Sequence, residues 1–225
     1  MQLILRTSTL NTTLKAGRKI EYIVVHYTAG VTSKSGSAIN TIDYYKTTKN
    51  VSADYTVDDT TVVQYNPDIK NRYCWHCGGS FYNNKGGKYY KKCSNQNSIG
   101  IEICSSNTTG KMQDPNSPTY YFTPAVLNNT TELIKQLILE YNISPENIIR
   151  HYDVTGKLCP GINGWNAEKY SDGECEWQKF KSRFVNVKPV LYTIQIGAFS
   201  VKENAEKYLK EVQKNYPNAF IKIKE

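Results

Sequence analysis

Residues 20–27, IEYIVVHY, form a short apolar run rich in β-branched side chains, and this predicts a buried strand ending at His26. Ile39, Ile42 and Tyr45 recur at helical spacing, so a short helix is expected over Ser37 to Lys46. SADYTVDD and TTVVQYN read as the two strands of a hairpin. In NSIGIEIC, Ile99, Ile101 and Ile103 alternate onto one face and leave Glu102 on the other. Thr123-Pro124 supplies a capping hydroxyl and a proline suited to the first helical position. Val126, Leu127, Leu133, Leu137 and Tyr141 continue that helix to Asn142. NIIRHYDV predicts a short strand that delivers His151 to a loop. Strands alternating with helices imply an α/β fold, a mixed β-sheet flanked by helices.

Between these elements, residues 66–97 and 105–119 are polar, irregular loops. Near Val187-Lys188-Pro189 the pattern changes. YTIQIGAF alternates, Ser200 and Glu203 fit a capping box, Ala205, Tyr208, Leu209 and Val212 form an amphipathic stripe, and AFIKIK alternates again. A small C-terminal βαβ unit is expected there. The implied organisation is a main domain over 1–184, a linker over 185–190 and a segment over 191–225.

The 225-residue chain is 39% hydrophobic, enough for a core. Its net charge of +8 favours a polyanionic partner, but no run of basic residues marks a nucleic-acid arm. No membrane span is expected, because no apolar stretch is long enough. The first residues lack the charged start, apolar run and cleavage site of a standard signal peptide.

The candidate chemistry lies in the histidines and cysteines. A single histidine at a strand end is more often a hydrogen-bonded core residue than a ligand. Two of them, His26 and His151, together with Cys159 in HYDVTGKLCPG, change that balance. Two imidazoles and a thiolate leave one tetrahedral position open, the pattern of a catalytic rather than a structural zinc. Cys74, Cys77 and Cys93 stay open between free thiols, a disulfide and a second metal site, since C-x-x-C has no matching second pair. Cys104 reads as buried and Cys175 as exposed.

VVHYTAG, SADYTVDD, WHCGG, NSIGIEIC and HYDVTGKLCPG, in this order, resemble the zinc-dependent N-acetylmuramoyl-L-alanine amidases, the amidase-2 family that is similar to peptidoglycan recognition proteins. The resemblance covers roughly residues 18–180. It implies zinc ligated by His26, His151 and Cys159, and hydrolysis of the amide between N-acetylmuramic acid and L-alanine. It implies Glu102 as general base, Lys157 as oxyanion stabiliser and Tyr55 near the metal. His76, Thr28 and Ala29 would line the substrate groove.

The segment YTIQIGAFSVKENAEKYLKEV resembles one half of a SPOR domain, a peptidoglycan-binding module. The implied partners are bacterial peptidoglycan and anionic wall polymers, reached by lytic release or a non-classical export route, as for an endolysin or an autolysin. The competing reading is a recognition module that binds peptidoglycan without cleaving it. A stem-peptide endopeptidase is disfavoured, because no H-E-x-x-H motif occurs.

Overall fold

The computed structural model of the chain describes residues 2–77, 87–166, 172–187, 197–216 and 219–221. The chain divides into two units, residues 1–188 and 189–225. In chain order the first unit contains β1 (Gln2–Leu5), β2 (Thr12–Leu14), β3 (Tyr22–Tyr27), α1 (Ser37–Thr47), β4 (Tyr55–Val57), β5 (Thr61–Gln64) and β6 (Arg72–Cys74). These are followed by β7 (Ser98–Ile103), β8 (Ser106–Asn107), β9 (Tyr120–Tyr121), α2 (Pro124–Tyr141), β10 (Ile148–Arg150), α3 (His151–Thr155) and α4 (Cys175–Ser182). The second unit contributes α5 (Lys202–Gln213).

The main described sheet has six strands in the order β1-β5-β4-β7-β3-β10. All neighbouring pairs are parallel except the β4–β5 hairpin, so the sheet is mixed. One carboxylate organises the hairpin end. Asp58 Oδ1 accepts from the backbone N–H groups of Thr60 and Thr61, and its Oδ2 accepts from those of Gly36 and Ala38. The same buried side chain therefore closes the β4–β5 turn and satisfies donors at the start of α1.

Alternation sorts the sheet into two faces. Val25, Ile101, Val57 and Val62 pack beneath α2, whose Val126, Leu133, Ile134, Leu137 and Ile138 are buried. That cluster also takes in Trp177, Phe180 and Phe184 from α4 and the turn after it. The cap of α2 is as the sequence predicts: Thr123 Oγ1 accepts from Val126 N–H at 3.1 Å, and Asn142 ends the helix with φ 52°. The opposite face packs Ile42 and Tyr45 of α1 against Val63 and Tyr65.

Two expectations need correction. His151 does not sit on a loop; it is the first residue of α3. The Asp153 carboxylate accepts from Arg150 N–H at 2.8 Å, which turns the chain straight from β10 into a single helical turn, and Gly156 ends it at φ 79°. In the second unit, α5 begins at Lys202 behind Val201 and has no side-chain cap, so the Ser200–Glu203 capping box is not formed. Of the two strands expected to flank α5, residues 192–196 and 222–224 lie outside the described residues, and 197–199 and 219–221 are not in a strand.

Candidate metal centre and active site

The sheet register places the site. His26 of β3 pairs with Glu102 of β7, and Glu102 pairs with Thr56 of β4. These three side chains share the face opposite Val25, Ile101 and Tyr55. β10 lies beside β3, so its end brings His151 up to His26. The two imidazole centroids are 4.7 Å apart. The loop after α3 then folds back: Tyr152 N–H donates to Cys159 O at 3.0 Å, which returns Cys159 to the same place.

His26, His151 and Cys159 are all buried, and their donor atoms lie within 4.8 Å of one another. Cys159 Sγ is 3.7 Å from His26 Nδ1. His151 Nδ1 is buried with no hydrogen-bond partner among the described residues. An orphaned nitrogen of this kind is costly unless something else engages it. Burial, followed by Lys157 and His76, pushes His151 down to about 3. His26 is lowered in the same direction, first by burial. Both rings are therefore neutral, the form that ligates a metal. Burial pushes the Cys159 thiol up to about 12, so its thiolate needs a cation to compensate it. The residues fit a divalent ion with borderline-soft preferences.

Glu102 is part of the same constellation. Its Oε2 is buried with no partner among the described residues, and burial pushes its carboxyl up to about 8, against a smaller downward pull from Lys157. Lys157 is exposed, yet its charge acts on Glu102, His26, His151 and Cys159. A buried proton-exchanging carboxyl beside a donor cluster, with a cation at the rim, suits hydrolysis of a carbonyl compound.

The other expected site residues divide. Thr28 and Ala29 directly follow β3 and lie at the site's end of the sheet. Thr28 Oγ1 accepts from Ser105 and Gly30 N–H groups, and Ala29 takes φ 49°, so this pair shapes the loop leaving His26. Tyr55 is not at the metal centre. It pairs with Ile101, belongs to the apolar cluster under α2, and lines a cleft of about 320 Å³ with Glu140 and Tyr141. The alternation of β4 turns Thr56, not Tyr55, toward Glu102.

His76 is also displaced from its expected role. It stands behind His26, with Nδ1 3.1 Å from His26 Nε2 and Nε2 3.2 Å from Ser98 Oγ, rather than offering either nitrogen to a groove. Gly100 makes room for it: a Cβ there would lie 2.5 Å from His76 Cγ. The glycine of NSIGIEIC is a legible signal for such a close approach that the sequence reading passed over.

Cys74, Cys77 and Cys93 are free and buried. Cys74 packs with Tyr45 and Tyr65, whereas Cys77 and Cys93 pack with Val24, Ile149 and Val154. The two ends of C-x-x-C thus enter different clusters. Among the described residues, His26, His151 and Cys159 form the one grouping of metal-type donors. Cys104 is buried and Cys175 exposed, as expected.

With that geometry in hand, similarity to known proteins becomes informative. Residues 16–162 match the family model for N-acetylmuramoyl-L-alanine amidase, and residues 188–225 match that of the SPOR domain. The N-acetylmuramoyl-L-alanine amidase XlyA of Bacillus subtilis (strain 168) is 32% identical over 154 residues, covering 68% of this chain and 44% of the relative. The amidase CwlL of Bacillus licheniformis is 31% identical over 147 residues, covering 63% of this chain and 36% of the relative. The chain thus spans less than half the length of these curated relatives. Among solved structures, the catalytic domain of XlyA superposes with a TM-score of 0.57 at 27% identity, covering 81% of this chain and 99% of that one. PlyL superposes with a TM-score of 0.57 at 26% identity, covering 84% and 100%. A mixed sheet flanked by helices is therefore the amidase catalytic-domain fold, and the chain belongs to the N-acetylmuramoyl-L-alanine amidase family, a generally zinc-dependent one.

Proposed function

We propose that this chain is a peptidoglycan hydrolase that cleaves the amide between N-acetylmuramic acid and the L-alanine of the stem peptide, with zinc held by His26, His151 and Cys159. The observation that carries the reading is the convergence of three buried donors on one point beside the buried, unpartnered carboxyl oxygen of Glu102. When bound, zinc supplies Lewis acidity to the amide carbonyl and to the attacking water.

The chain's own groups supply the rest. Glu102 takes a proton from the attacking water and passes it to the departing L-alanine nitrogen, a task suited to a carboxyl held near neutrality by burial. Lys157 brings a fixed positive charge to the oxygen that becomes negative at the tetrahedral stage, an effect of roughly 3 kcal/mol in comparable sites. Thr28 and Ala29 shape the wall next to His26. A recognition module that only binds would not need Glu102 and Lys157 beside a complete donor set.

Within this reading, residues 1–184 form the catalytic domain and 185–190 a linker. The segment 191–225 is a wall-targeting, SPOR-like part, in keeping with its family match. The net charge of +8 favours attraction to anionic wall polymers. The site of action is the bacterial cell wall.

The test is digestion of purified peptidoglycan with and without a chelator, read by mass analysis. The expected products are stem peptides with a free L-alanine N-terminus, lost on chelation and restored by zinc. Cys159→Ala should lose zinc and activity together. Intact muropeptides, with every stem peptide still attached and the protein merely bound, would reject the hydrolase.

A further inference from the structure

We infer that His76 is a positioning residue for His26: a hydrogen-bond relay from Ser94 through Ser98 and His76 fixes the tautomer in which His26 turns a bare Nδ1 toward the metal centre. The inference rests on the proposed function only for the identity of the occupant. The links are short and continuous. The Ser98 hydroxyl donates to Ser94 O at 2.5 Å, Ser98 Oγ lies 3.2 Å from His76 Nε2, and His76 Nδ1 lies 3.1 Å from His26 Nε2.

The polarity follows from the far end. A carbonyl oxygen only accepts, so the single Ser98 proton is committed to Ser94. Ser98 Oγ then accepts from His76 Nε2–H. A neutral His76 carrying its proton there has a bare Nδ1, which accepts from His26 Nε2–H. A neutral His26 carrying its proton on Nε2 has a bare Nδ1, and that nitrogen faces Cys159 Sγ at 3.7 Å. The reverse polarity would cost the Ser98–Ser94 bond and would place a proton on the nitrogen aimed at the site. Cys77 Sγ, 3.9 Å from the Ser98 hydroxyl, is the weaker competitor for it.

The relay is held from several sides. The His76 ring lies directly on Gly100. His76 N–H donates to Asn95 Oδ1 at 3.1 Å, and the Arg18 guanidinium donates to Asn95 O and Ser98 O at 3.1 and 2.9 Å. Groups that orient a metal-ligating imidazole in this way are typically worth about 10–100-fold in metal affinity.

Long-range proton–nitrogen correlation NMR on the full chain, freed of metal, reads each histidine tautomer directly. His26 and His76 are expected in the Nε2–H form; an Nδ1–H form at either position would overturn the relay. Zinc affinity is then measured by competition with a chromophoric chelator. His76→Ala should bind about 10–100-fold more weakly. His76→Asn, whose carbonyl oxygen can accept from His26 in place of Nδ1, should recover most of the loss, and Ser98→Ala should fall between. Equal affinity in His76→Ala and wild type, or no recovery in His76→Asn, would also overturn it. If wild type bound no zinc at all, the metal reading would fail while the tautomers still decided the relay.

Discussion

Two adjacent rows cross the same three strands. Tyr55, Ile101 and Val25 form one row; Thr56, Glu102 and His26 form the next. A shift of one residue separates them, yet they do opposite work. The first row is buried among apolar side chains under α2 and α4. The second also loses water, but it carries a carboxyl with an unpartnered oxygen and an imidazole whose charged form is disfavoured by burial. Burying such groups costs free energy. The apolar row supplies the rigidity that lets the polar row hold that arrangement. Along these two rows the sheet therefore divides its labour by face, and side-chain alternation along each strand is the device that keeps the two functions apart.

Substitutions in the two rows should separate activity from stability. The largest effect is expected at Glu102→Ala, which should lower peptidoglycan turnover by about 10²–10⁴-fold while zinc content stays at one equivalent. Turnover at the wild-type rate would sink Glu102 as the proton carrier. Next comes its neighbour on the other face. Ile101→Ala removes a fully buried side chain from the large cluster, and chemical denaturation should show a loss of about 2–5 kcal/mol. The protein that remains folded should turn over normally. A selective loss of turnover without loss of stability would mean that the faces are not independent.

A smaller effect separates the rows by pH in the metal-free protein. Burial raises Glu102 from its ordinary 4.5 to about 8, so between these values the folded chain keeps a proton that the unfolded chain has released. The contribution is fully present below 4.5 and is lost as pH rises toward 8. His26 and His151 have the opposite sign: their values are lowered, so stability is lost as pH falls below the ordinary histidine value of 6.5. Thermal melts of wild type and Glu102→Gln should therefore diverge as pH rises, with the variant declining less. Parallel curves would show that this carboxyl is not held protonated by its surroundings.

Much of this was legible in the sequence because alternation and helical spacing report burial directly. The strand ending near His26, the Ile99–Ile101–Ile103 face and the Thr123-capped helix all appear where the pattern places them. The donors His26, His151 and Cys159 converge although 133 residues separate the first from the last. The short pieces were not legible. β1, β2, β6, β8 and β9 have two to four residues each, too few to show a period, and they exist through pairing with distant partners. α3 was hidden because its start depends on one carboxylate folding back onto Arg150 N–H. His76 was misread because a motif places a residue near a site without saying on which side of a ligand it stands.

Tyr55 is the sharpest case, and it yields the smallest predicted effect. A tyrosine in SADYTVDD is the right residue type for a hydroxyl near a metal, and it lies on a strand next to β7. The register nevertheless sets it opposite Ile101 rather than Glu102, with its ring in the apolar cluster and Glu140 and Tyr141 of α2 as its polar surroundings. Its phenol is pushed up, first by burial and then by Tyr141, Asp54 and Glu140. Tyr55→Phe keeps the ring and deletes only the hydroxyl. Turnover of peptidoglycan should change by less than about twofold, with a stability change within about 1 kcal/mol. A tenfold fall in kcat with an unchanged melting temperature would place the hydroxyl at the reacting amide, and the division of the sheet into a structural and a catalytic face would then have to be abandoned at β4.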